Sequence, residues 1–387
     1  MTNFSEHTEV SQSLSIFSEL ERYDYEQLIF CSDHKVGLRG IIAIHNTMLG
    51  PALGGTRMWV YPTEQDAIAD ALRLARGMTY KAAVSRLNLG GGKAVLIGNP
   101  ERDKSEALFR TYGRFVEGLA GRYITAEDVG TNVRDMEWVR METKYVTGIS
   151  RALGGSGDPS PVTALGVYMG MKAACKARYG NDSLNGKTVV VQGAGQVAYH
   201  LCGYLRSEGA VVYVSDIYEE KARRIVNEYG TIYVKPEEVY DKAAHIFCPA
   251  ALGGVLNSDT IPRLKVEIVA GPANNQLRDE EVHEQMLIER DILYVPDFVI
   301  NAGGLINVAN ELEGYNRERA LSQAREIYDV VGDVLRIAKE RNLTPNSAAI
   351  HLAEERLRKI GQIKSIYAGE SNYAGRLGEM HSRHSRR

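Results

Sequence analysis

The stretch VVVQGAGQVAYHL, residues 189–201, decides the fold of this chain. An apolar run leads into Gly193, Gly195 and Ala198 at the spacing G-x-G-x-x-A, and a helical pattern follows. The first glycine permits a tight turn, the second lets backbone N–H groups approach a pyrophosphate, and the small third residue allows close helix–strand packing. Asp216 ends the next apolar run, where a carboxylate accepts hydrogen bonds from an adenine ribose. The pattern predicts a Rossmann-type dinucleotide site; the alternative is a purely structural strand-to-helix turn.

The acid at the end of the second strand also predicts which dinucleotide binds. Asp216 would repel a 2′-phosphate and no arginine directly follows it, so we expect NAD rather than NADP. Three cations lie nearby, Lys221, Arg223 and Arg224, and we interpret them as a solvated helix face. The residues predicted to contact the cofactor around this loop are Gly193, Ala194, Gly195, Gln196, Val197, Asp216 and Ile217.

Short apolar runs alternate with helical stretches around this loop, which is typical of βαβ units and a parallel sheet. Beyond Gly304 the pattern becomes helical, with apolar residues three and four apart between Leu321 and Leu335. We therefore expect a doubly wound dinucleotide-binding domain. Its predicted strands lie at 188–192, 210–215, 231–234, 246–248, 268–270 and 292–295.

The chain before this region predicts a mixed α/β domain. It contains two apolar strands, 38–45 and 94–97, and a helix whose apolar residues between Ile68 and Ala75 follow helical spacing. The sequence LGGSGDPSP at 153–161 is typical of a linker.

These signals divide the chain into a substrate-binding catalytic domain at 1–150 and a Rossmann-type NAD-binding domain at 151–340, with a cleft between them. The C-terminal helix and tail at 341–387 pack back on the first domain or take part in an oligomer.

Composition excludes several classes of function. The 387 residues carry 46 Lys and Arg against 49 Asp and Glu, a net charge of −3, which disfavours binding to nucleic acid or to an anionic membrane surface. The four cysteines have neither a metal-ligand spacing nor a disulfide framework, so we expect no metal site and a reducing, cytoplasmic compartment. The N-terminus lacks the basic start and apolar run of a secretory signal, and we interpret the leader before Tyr23 as a flexible extension.

Three glycine-rich or polar clusters in the first domain are candidates for chemistry: residues 54–57, 79–81 and 90–93. Glycines allow close backbone approach to another segment or to a ligand. If Lys81 and Lys93 converge, one amine could bind a substrate carboxylate while burial lowers the pKa of the other into the range of a general base. Each lysine alone is more often a solvated surface residue.

An acid in TAEDVGT, residues 125–131, completes this constellation. Asp128 could balance the lysine charges or relay a proton, and Glu127 is the competing candidate. For both acids a capping or turn role is about equally expected.

Seven segments in order resemble the bacterial branched-chain and aromatic amino-acid dehydrogenases of the glutamate dehydrogenase superfamily. These segments are GPALGGTRM at 50–58, RGMTYK at 76–81, LGGGKAV at 89–95, ITAEDVGT at 124–131, PSPVTALGV at 159–167, ANNQL at 273–277 and PDFVINAGGLINV at 296–308. The resemblance implies oxidative deamination of an L-amino acid with NAD, giving a 2-oxo acid, ammonia and NADH.

The resemblance also implies roles for individual residues. Lys93 matches the catalytic lysine, Asp128 the acid that assists proton transfer, and Lys81 the carboxylate-binding lysine. The other implied substrate-binding residues are Gly54, Gly55, Leu53, Ala126, Leu305, Val308 and Asn275. Further implied cofactor contacts are Thr163, Cys248, Ala250, Asn275 and Asn301.

Several points stay open at this stage. The aliphatic pocket and the motifs TAEDVGT and LGGTRM resemble the leucine-specific members, with phenylalanine or tryptophan specificity as the runner-up. A non-catalytic NAD-binding sensor is an alternative of a different class. Pro272 departs from the family pattern beside the cofactor strand, because proline removes a backbone donor. The family further implies a homo-oligomer, commonly an octamer, that the basic tail 383–387 could help to join.

Overall fold

A computed structural model describes residues 15–363, and these residues divide into two compact units. Unit 1 comprises residues 15–47, 52–78 and 91–145, and unit 2 comprises residues 48–51, 79–90 and 146–363. The basic tail and the first fourteen residues lie outside the described residues.

Unit 1 is built on a five-stranded mixed sheet in the order β1-β2-β4-β3-β5. β1 is antiparallel to β2, β2 is antiparallel to β4, and β3 is parallel to β5. The strands are β1 (Gln27–Asp33), β2 (Leu38–Asn46), β3 (Ala52–Trp59), β4 (Gly90–Ile97) and β5 (Tyr123–Glu127), and the helices are α1 (Ile16–Tyr23), α2 (Glu64–Val84), α3 (Glu106–Gly118) and α4 (Val133–Arg140). The two predicted strands and the predicted helix are present, but β1, β3 and β5 were not predicted.

Helix α2 packs on the sheet through the apolar stripe that the sequence predicted. Ile68, Ala71, Leu72 and Ala75 are buried against residues of β2 and β4. Burial of such a stripe supplies most of the stability of an amphipathic helix.

Helix α1 corrects the prediction of a flexible leader, because Ile16 and Leu20 pack against the same core cluster. With two apolar side chains one helical turn apart in contact with the core, residues 16–23 form a docked helix instead of an extension.

Unit 2 contains a six-stranded sheet in the order β11-β10-β9-β6-β7-β8, and all of its strand pairs are parallel. This is the doubly wound Rossmann order, with the change of direction between β6 and β9. The strands are β6 (Thr188–Gln192), β7 (Val211–Ser215), β8 (Ile232–Tyr233), β9 (Ile246–Pro249), β10 (Ile268–Val269) and β11 (Leu293–Tyr294). Each lies within one residue of a predicted strand, so the predicted fold class is confirmed.

Helices complete unit 2. They are α5 (Ser160–Tyr179), α6 (Gln196–Ser207), α7 (Glu219–Tyr229), α8 (Glu280–Glu289), α9 (Asp297–Ile300), α10 (Gly303–Ala309), α11 (Arg317–Arg325), α12 (Ile327–Arg341) and α13 (Pro345–Gly361). The helical pattern of residues 162–179, followed by a glycine, predicts a helix that ends at Gly180. Helix α5 ends there: Gly180 has φ +79°, and its backbone N–H donates to the Lys176 carbonyl.

The C-terminal helix α13 is held to the end of α2. Arg356 donates hydrogen bonds from Nη1 to the carbonyl oxygens of Ala83 (3.1 Å) and Leu87 (2.6 Å), and from Nη2 to Oδ1 of Asn88 (2.8 Å). The guanidinium gives the Leu87 carbonyl, just beyond α2, a donor and adds a second donor to the Ala83 carbonyl, which also accepts from the Arg86 N–H at 3.1 Å.

Residues 15–363 include no helix long and apolar enough to cross a membrane. Within the same residues no cluster of His, Cys, Asp and Glu could hold a metal ion. All four cysteines are buried free thiols.

Candidate active site

Lys93 lies on β4, and Gly54 brings the neighbouring strand β3 unusually close to the backbone just before it. A Cβ on Gly54 of β3 would lie 1.7 Å from the carbonyl oxygen of Gly92. Gly90, Gly91 and Gly92 are themselves buried in the sheet. Gly54 and Gly92 therefore serve close approach between chain segments, since a Cβ on Gly92 would lie 2.8 Å from the Tyr123 ring; this is one of the two uses that the sequence left open.

Lys93 and Asp128 form a buried ion pair in unit 1. Nζ of Lys93 lies 3.1 Å from Oδ1 of Asp128, and Lys93 is only 5% exposed. Burial lowers the pKa of the Lys93 amine; the Asp128 charge opposes this shift, and the nearby Arg57 charge adds to it. Burial alone would raise the pKa of Asp128, but the charges of Lys93 and Arg57 outweigh burial and hold that pKa below its usual range. A lysine whose pKa is lowered, beside an ionised carboxylate, suits proton transfer.

The backbone around Asp128 is fixed by β3. The Asp128 N–H donates to Oγ1 of Thr131 (2.9 Å), and the same hydroxyl donates to the carbonyl of Thr56 (2.8 Å). A Cβ on Gly55 would lie 2.8 Å from the Cβ of Asp128, so a larger residue there would displace the acid.

Two residues of this network were given no role from the sequence: Arg57, which lies in a quoted motif, and Asp70, which lies in none. Arg57 donates from Nε to Oδ2 of Asp128 (3.0 Å) and from Nη1 to Oδ2 of Asp70 (2.8 Å). Asp70 lies on α2, and nothing in its local sequence distinguishes it from a solvated helix acid. Only the packing of α2 on the sheet brings it to Arg57.

The two predicted pocket residues of unit 1 lie on one face of the sheet. Leu53 and Gly55 are two residues apart on β3 and therefore lie on the same face of the sheet. Ala126 of β5 pairs directly with Gly55 and lies on that face too. Leu53 is 2% exposed and Ala126 is 6% exposed. This face therefore presents small aliphatic side chains, with Gly54 on the opposite face of β3.

Lys81 belongs to unit 2, near the end of α2, and its amine binds Asn301. Nζ donates to Oδ1 of Asn301 (2.6 Å), and Nδ2 of Asn301 donates to Oδ1 of Asn274 (2.7 Å) and to the carbonyl of Pro272 (3.1 Å). Asn274 is a further functional candidate that the sequence reasoning missed. The predicted convergence of Lys81 with Lys93 stays a prediction.

Asn275 occupies a left-handed conformation with φ +51°. Its side chain is exposed, and its carbonyl accepts a hydrogen bond from the Gly254 N–H (2.7 Å). Asparagine tolerates this conformation better than most residues. The turn thus orients the ANNQL segment that the sequence analysis singled out.

Leu305 and Val308 are three residues apart on α10 and so share a face of this helix. Leu305 is buried and Val308 is half-buried. The start of α10 packs on Thr163 of α5, because a Cβ on Gly303 would lie 2.7 Å from the Cα of Thr163. Oγ1 of Thr163 donates to the Pro159 carbonyl one helical turn back (3.0 Å).

The predicted dinucleotide loop connects β6 to α6. Gly193 has φ +112°, and a Cβ there would lie 2.8 Å from backbone atoms of Ala250. Gly195 faces open space at the N-cap of α6, where Gln196 and Val197 begin the first turn. Exposed N–H groups at a helix N-terminus beside a glycine are what an anionic pyrophosphate requires. The residues therefore fit a dinucleotide.

Asp216 follows β7 and anchors this loop. Its Oδ2 accepts from the Ala194 N–H (2.7 Å), and its Oδ1 accepts from the Tyr218 N–H (2.9 Å). Ile217 beside it is 78% exposed. Cys248 is fully buried within β9, so only its backbone faces the end of the sheet.

The cations that follow Asp216 each have a partner in unit 2. Nη2 of Arg223 pairs with Glu219 at 2.8 Å, the guanidinium of Arg224 lies 4.5 Å from the ring centre of Tyr199, and the amine of Lys221 lies 4.4 Å from that of Tyr218. These contacts agree with the interpretation of a helix surface.

The chain is similar to amino-acid dehydrogenases over most of its length. Residues 26–145 match the Glu/Leu/Phe/Val dehydrogenase dimerisation domain, and residues 154–220 and 213–360 match the Glutamate/Leucine/Phenylalanine/Valine dehydrogenase domain. The leucine dehydrogenase of Thermoactinomyces intermedius is 57% identical over 354 residues, which cover 92% of this chain and 96% of that protein. That of Geobacillus stearothermophilus is 56% identical over 354 residues, with the same coverage of 92% and 96%.

The crystal structure of L-tryptophan dehydrogenase from Nostoc punctiforme has a similar fold. Its TM-score is 0.82 at 47% sequence identity, and the match covers 89% of this chain and 99% of that chain.

Proposed function

The chain belongs to the Glu/Leu/Phe/Val dehydrogenase family, and we propose that it catalyses the NAD-dependent oxidative deamination of L-leucine and related branched-chain amino acids. The products would be a 2-oxo acid, ammonia and NADH. Identities of 57% and 56% to two leucine dehydrogenases support this substrate class.

The observation that carries the proposal is the buried Lys93–Asp128 pair. An amine that is 5% exposed and 3.1 Å from a carboxylate is poised to exchange protons, since burial favours its neutral form. In this proposal Lys93 is the general base and Asp128 the acid that stabilises its protonated form. A sensor that binds NAD without catalysis would have no use for a buried proton-exchanging pair.

Bound NAD would supply the hydride acceptor for the substrate Cα. Lys93 then takes a proton from the water that attacks the resulting iminium carbon. The same amine returns that proton to the nitrogen, and as the carbinolamine collapses and ammonia leaves, the neutral amine accepts the proton of the hydroxyl group that becomes the 2-oxo group. Because the amine is shielded from solvent, the proton it takes from this water is retained for the leaving group.

Lys81 would bind the substrate carboxylate. Its amine already contacts Asn301 at 2.6 Å, an amide that would hold the lysine in one position as the carboxylate arrives. We propose that Lys81 and Lys93 serve the same substrate, as the first and second lysines of the family pattern.

Aliphatic residues would line the pocket for the substrate side chain: Leu53, Ala126, Leu305 and Val308. One methylene is worth only about 1–3 kcal/mol in such a pocket, so leucine, isoleucine and valine should all react. Tryptophan is the alternative substrate, because L-tryptophan dehydrogenase of Nostoc punctiforme is 48% identical over 350 residues. The four proposed residues offer no partner for an indole N–H, which favours leucine.

NAD is the proposed cofactor in preference to NADP. Its pyrophosphate would be bound by residues 193–197, and the carboxylate of Asp216 would accept from ribose hydroxyls and repel a 2′-phosphate. We propose residues 151–340 as the NAD-binding domain and residues 1–150 as the catalytic domain. Thr163, Ile217, Cys248, Ala250, Asn275 and Asn301 are the remaining proposed contacts.

We further propose that the chain forms a homo-oligomer and acts in the cytoplasm. The region that matches a dimerisation domain includes the edge strand β1, whose Phe30 is 57% exposed. An exposed aromatic residue on a sheet edge favours self-association. Light scattering of the purified protein would give the number of subunits.

The test is the formation of NADH at alkaline pH with L-leucine, L-valine, L-phenylalanine and L-tryptophan in parallel. We expect the highest kcat/KM with leucine and NAD, and a much lower value with NADP. Lys93→Ala should lower kcat by about a thousand-fold, the range of general-base catalysis, while its thermal unfolding stays cooperative. A preference for tryptophan, or full activity of Lys93→Ala, would refute the proposal.

A further inference from the structure

Asp128 uses its two oxygens for two different cations, and the second cation has no assigned role. Oδ1 faces Lys93 at 3.1 Å and Oδ2 accepts from Nε of Arg57 at 3.0 Å. The Arg57 side chain is 20% exposed and that of Asp128 is 23% exposed, so solvent competes only partly for these contacts.

Arg57 is in turn held by Asp70. Its Nη1 donates to Oδ2 of Asp70 at 2.8 Å, and that oxygen also accepts from the Tyr61 hydroxyl at 2.6 Å. The other oxygen of Asp70 accepts from Arg73 at 2.8 Å. Arg57 therefore bridges two carboxylates with different nitrogens of one planar group, an arrangement that the single amine of a lysine cannot reproduce.

We propose that Arg57 is a positioning residue of the Lys93–Asp128 pair: it fixes one oxygen of Asp128 so that the other faces the Lys93 amine. The inference rests on the proposed role of Lys93 as general base. Arg57 itself need not touch the substrate.

The charges around Lys93 act in opposite directions. Asp128 and Asp70 favour its protonated form, whereas burial and Arg57 favour its neutral form. The other titratable groups of this network are Tyr61, which bonds to Asp70, Arg73, which bonds to its other oxygen, and Tyr123, which interacts electrostatically with Asp128. Without Arg57 the full charge of Asp128 would act on Lys93, and the ion pair would hold its proton more tightly.

Opposite substitutions in the network should therefore move the pKa of Lys93 in opposite directions. Arg57→Gln removes a positive charge that binds the same carboxylate as the amine, which at an effective dielectric constant of about 20 raises the pKa of Lys93 by about one pH unit or more. Asp70→Asn removes a negative charge and lowers the pKa by a smaller amount. Loosening of the structure alone would not produce shifts of opposite sign.

The experiment measures kcat/KM for leucine as a function of pH in the wild-type protein, Arg57→Gln, Arg57→Lys and Asp70→Asn. Because Lys93 acts when neutral, activity rises with pH through its pKa. We expect this rise at higher pH in Arg57→Gln, at lower pH in Asp70→Asn, and near the wild-type pH in Arg57→Lys, which keeps the charge but has a lower kcat. Arg39→Gln is the control, since Arg39 pairs with Glu64 at the surface of the same unit (2.6 Å).

The pH midpoint of the Lys93 titration can also be measured without turnover, by NMR of protein labelled at lysine Cε. The signal that is missing in Lys93→Ala identifies Lys93. Wild-type midpoints in both Arg57→Gln and Asp70→Asn, or shifts in the same direction, would overturn the inference. If Arg57→Gln does not fold, Asp70→Asn decides by the direction of its shift. Absence of leucine-dependent NADH formation in the wild type would instead refute the proposed function, and the NMR titration would still test Arg57.

Discussion

Replacing Gly54 by alanine should distort the strand that carries Lys93. The added Cβ would lie 1.7 Å from the Gly92 carbonyl oxygen and 3.4 Å from the backbone nitrogen of Lys93. The peptide between Gly92 and Lys93 must therefore move by about 1 Å or more, and overpacking of this kind costs about 3 kcal/mol. A displacement of about 1 Å at a catalytic group also costs about a hundred-fold in rate. Gly54→Ala should be both less stable and much less active.

The two tryptophans of the chain, Trp59 and Trp138, allow this to be measured in unit 1 alone. The midpoint of thermal unfolding followed by their fluorescence should fall by about 10 °C. Gly77→Ala is the matched control, because Gly77 is exposed on α2 and a Cβ there meets nothing within 4 Å. That change should raise helix stability by about 0.5–1 kcal/mol. Equal midpoints in the two variants, or wild-type kcat in Gly54→Ala, would contradict the close approach of β3 and β4.

Two further predictions concern unit 2 and the cysteines. Arg356→Ala should remove the guanidinium from the carbonyls of Ala83 and Leu87 and destabilise the protein by about 2 kcal/mol. It should raise KM for leucine more than it lowers kcat, because these hydrogen bonds hold the end of the helix that carries Lys81. Arg358→Ala on the same helix as Arg356, where the side chain is exposed, is the control in both assays. Burial raises the pKa of Cys31 and of Cys202 to about 12 and that of Cys175 to about 11, and Cys248 is shifted in the same direction. The native protein should therefore react slowly with Ellman's reagent at mildly alkaline pH, and all four thiols should react only when the protein is unfolded. Rapid reaction of any thiol in the native protein would contradict this burial.

The parallel sheet of unit 2 was predictable because its central strands β6, β9 and β10 are buried on both faces. Such strands are short continuous apolar runs, and the glycine loop with Asp216 fixes the position of the first of them. The turn at Gly180 and the helix before it follow equally local signals. Each of these features depends on residues that are close together in the sequence.

Unit 1 was harder to predict, because its strands β3 and β5 are defined by contacts distant in sequence. β3 contains two adjacent glycines, which disfavour strands in isolation, and it is stable only because Gly54 allows the approach of β4 and Gly55 makes room for Asp128. The same absence of side chains that weakens the local signal is what the packing requires. Strand prediction from periodicity must fail at such a position.

The candidate site illustrates the same limit at the level of charge. Lys93, Asp128 and Lys81 were candidates from the residues themselves, and the resemblance distinguished their roles. Arg57 and Asp70 lie 13 positions apart and acquire a role only through the 2.8 Å contact between them. The presence of a charged residue in a motif does not predict which carboxylate oxygen its side chain will bind. Since the pKa of a buried amine depends on every charge within several ångströms, the residues that tune a catalytic lysine can be recognised only after the fold has placed them. In this chain Gly54 and Gly55 weaken the sequence signal of β3, but they also permit the packing that places Arg57 beside Asp128. The proposed chemistry therefore depends on the same glycines that make the strand difficult to predict.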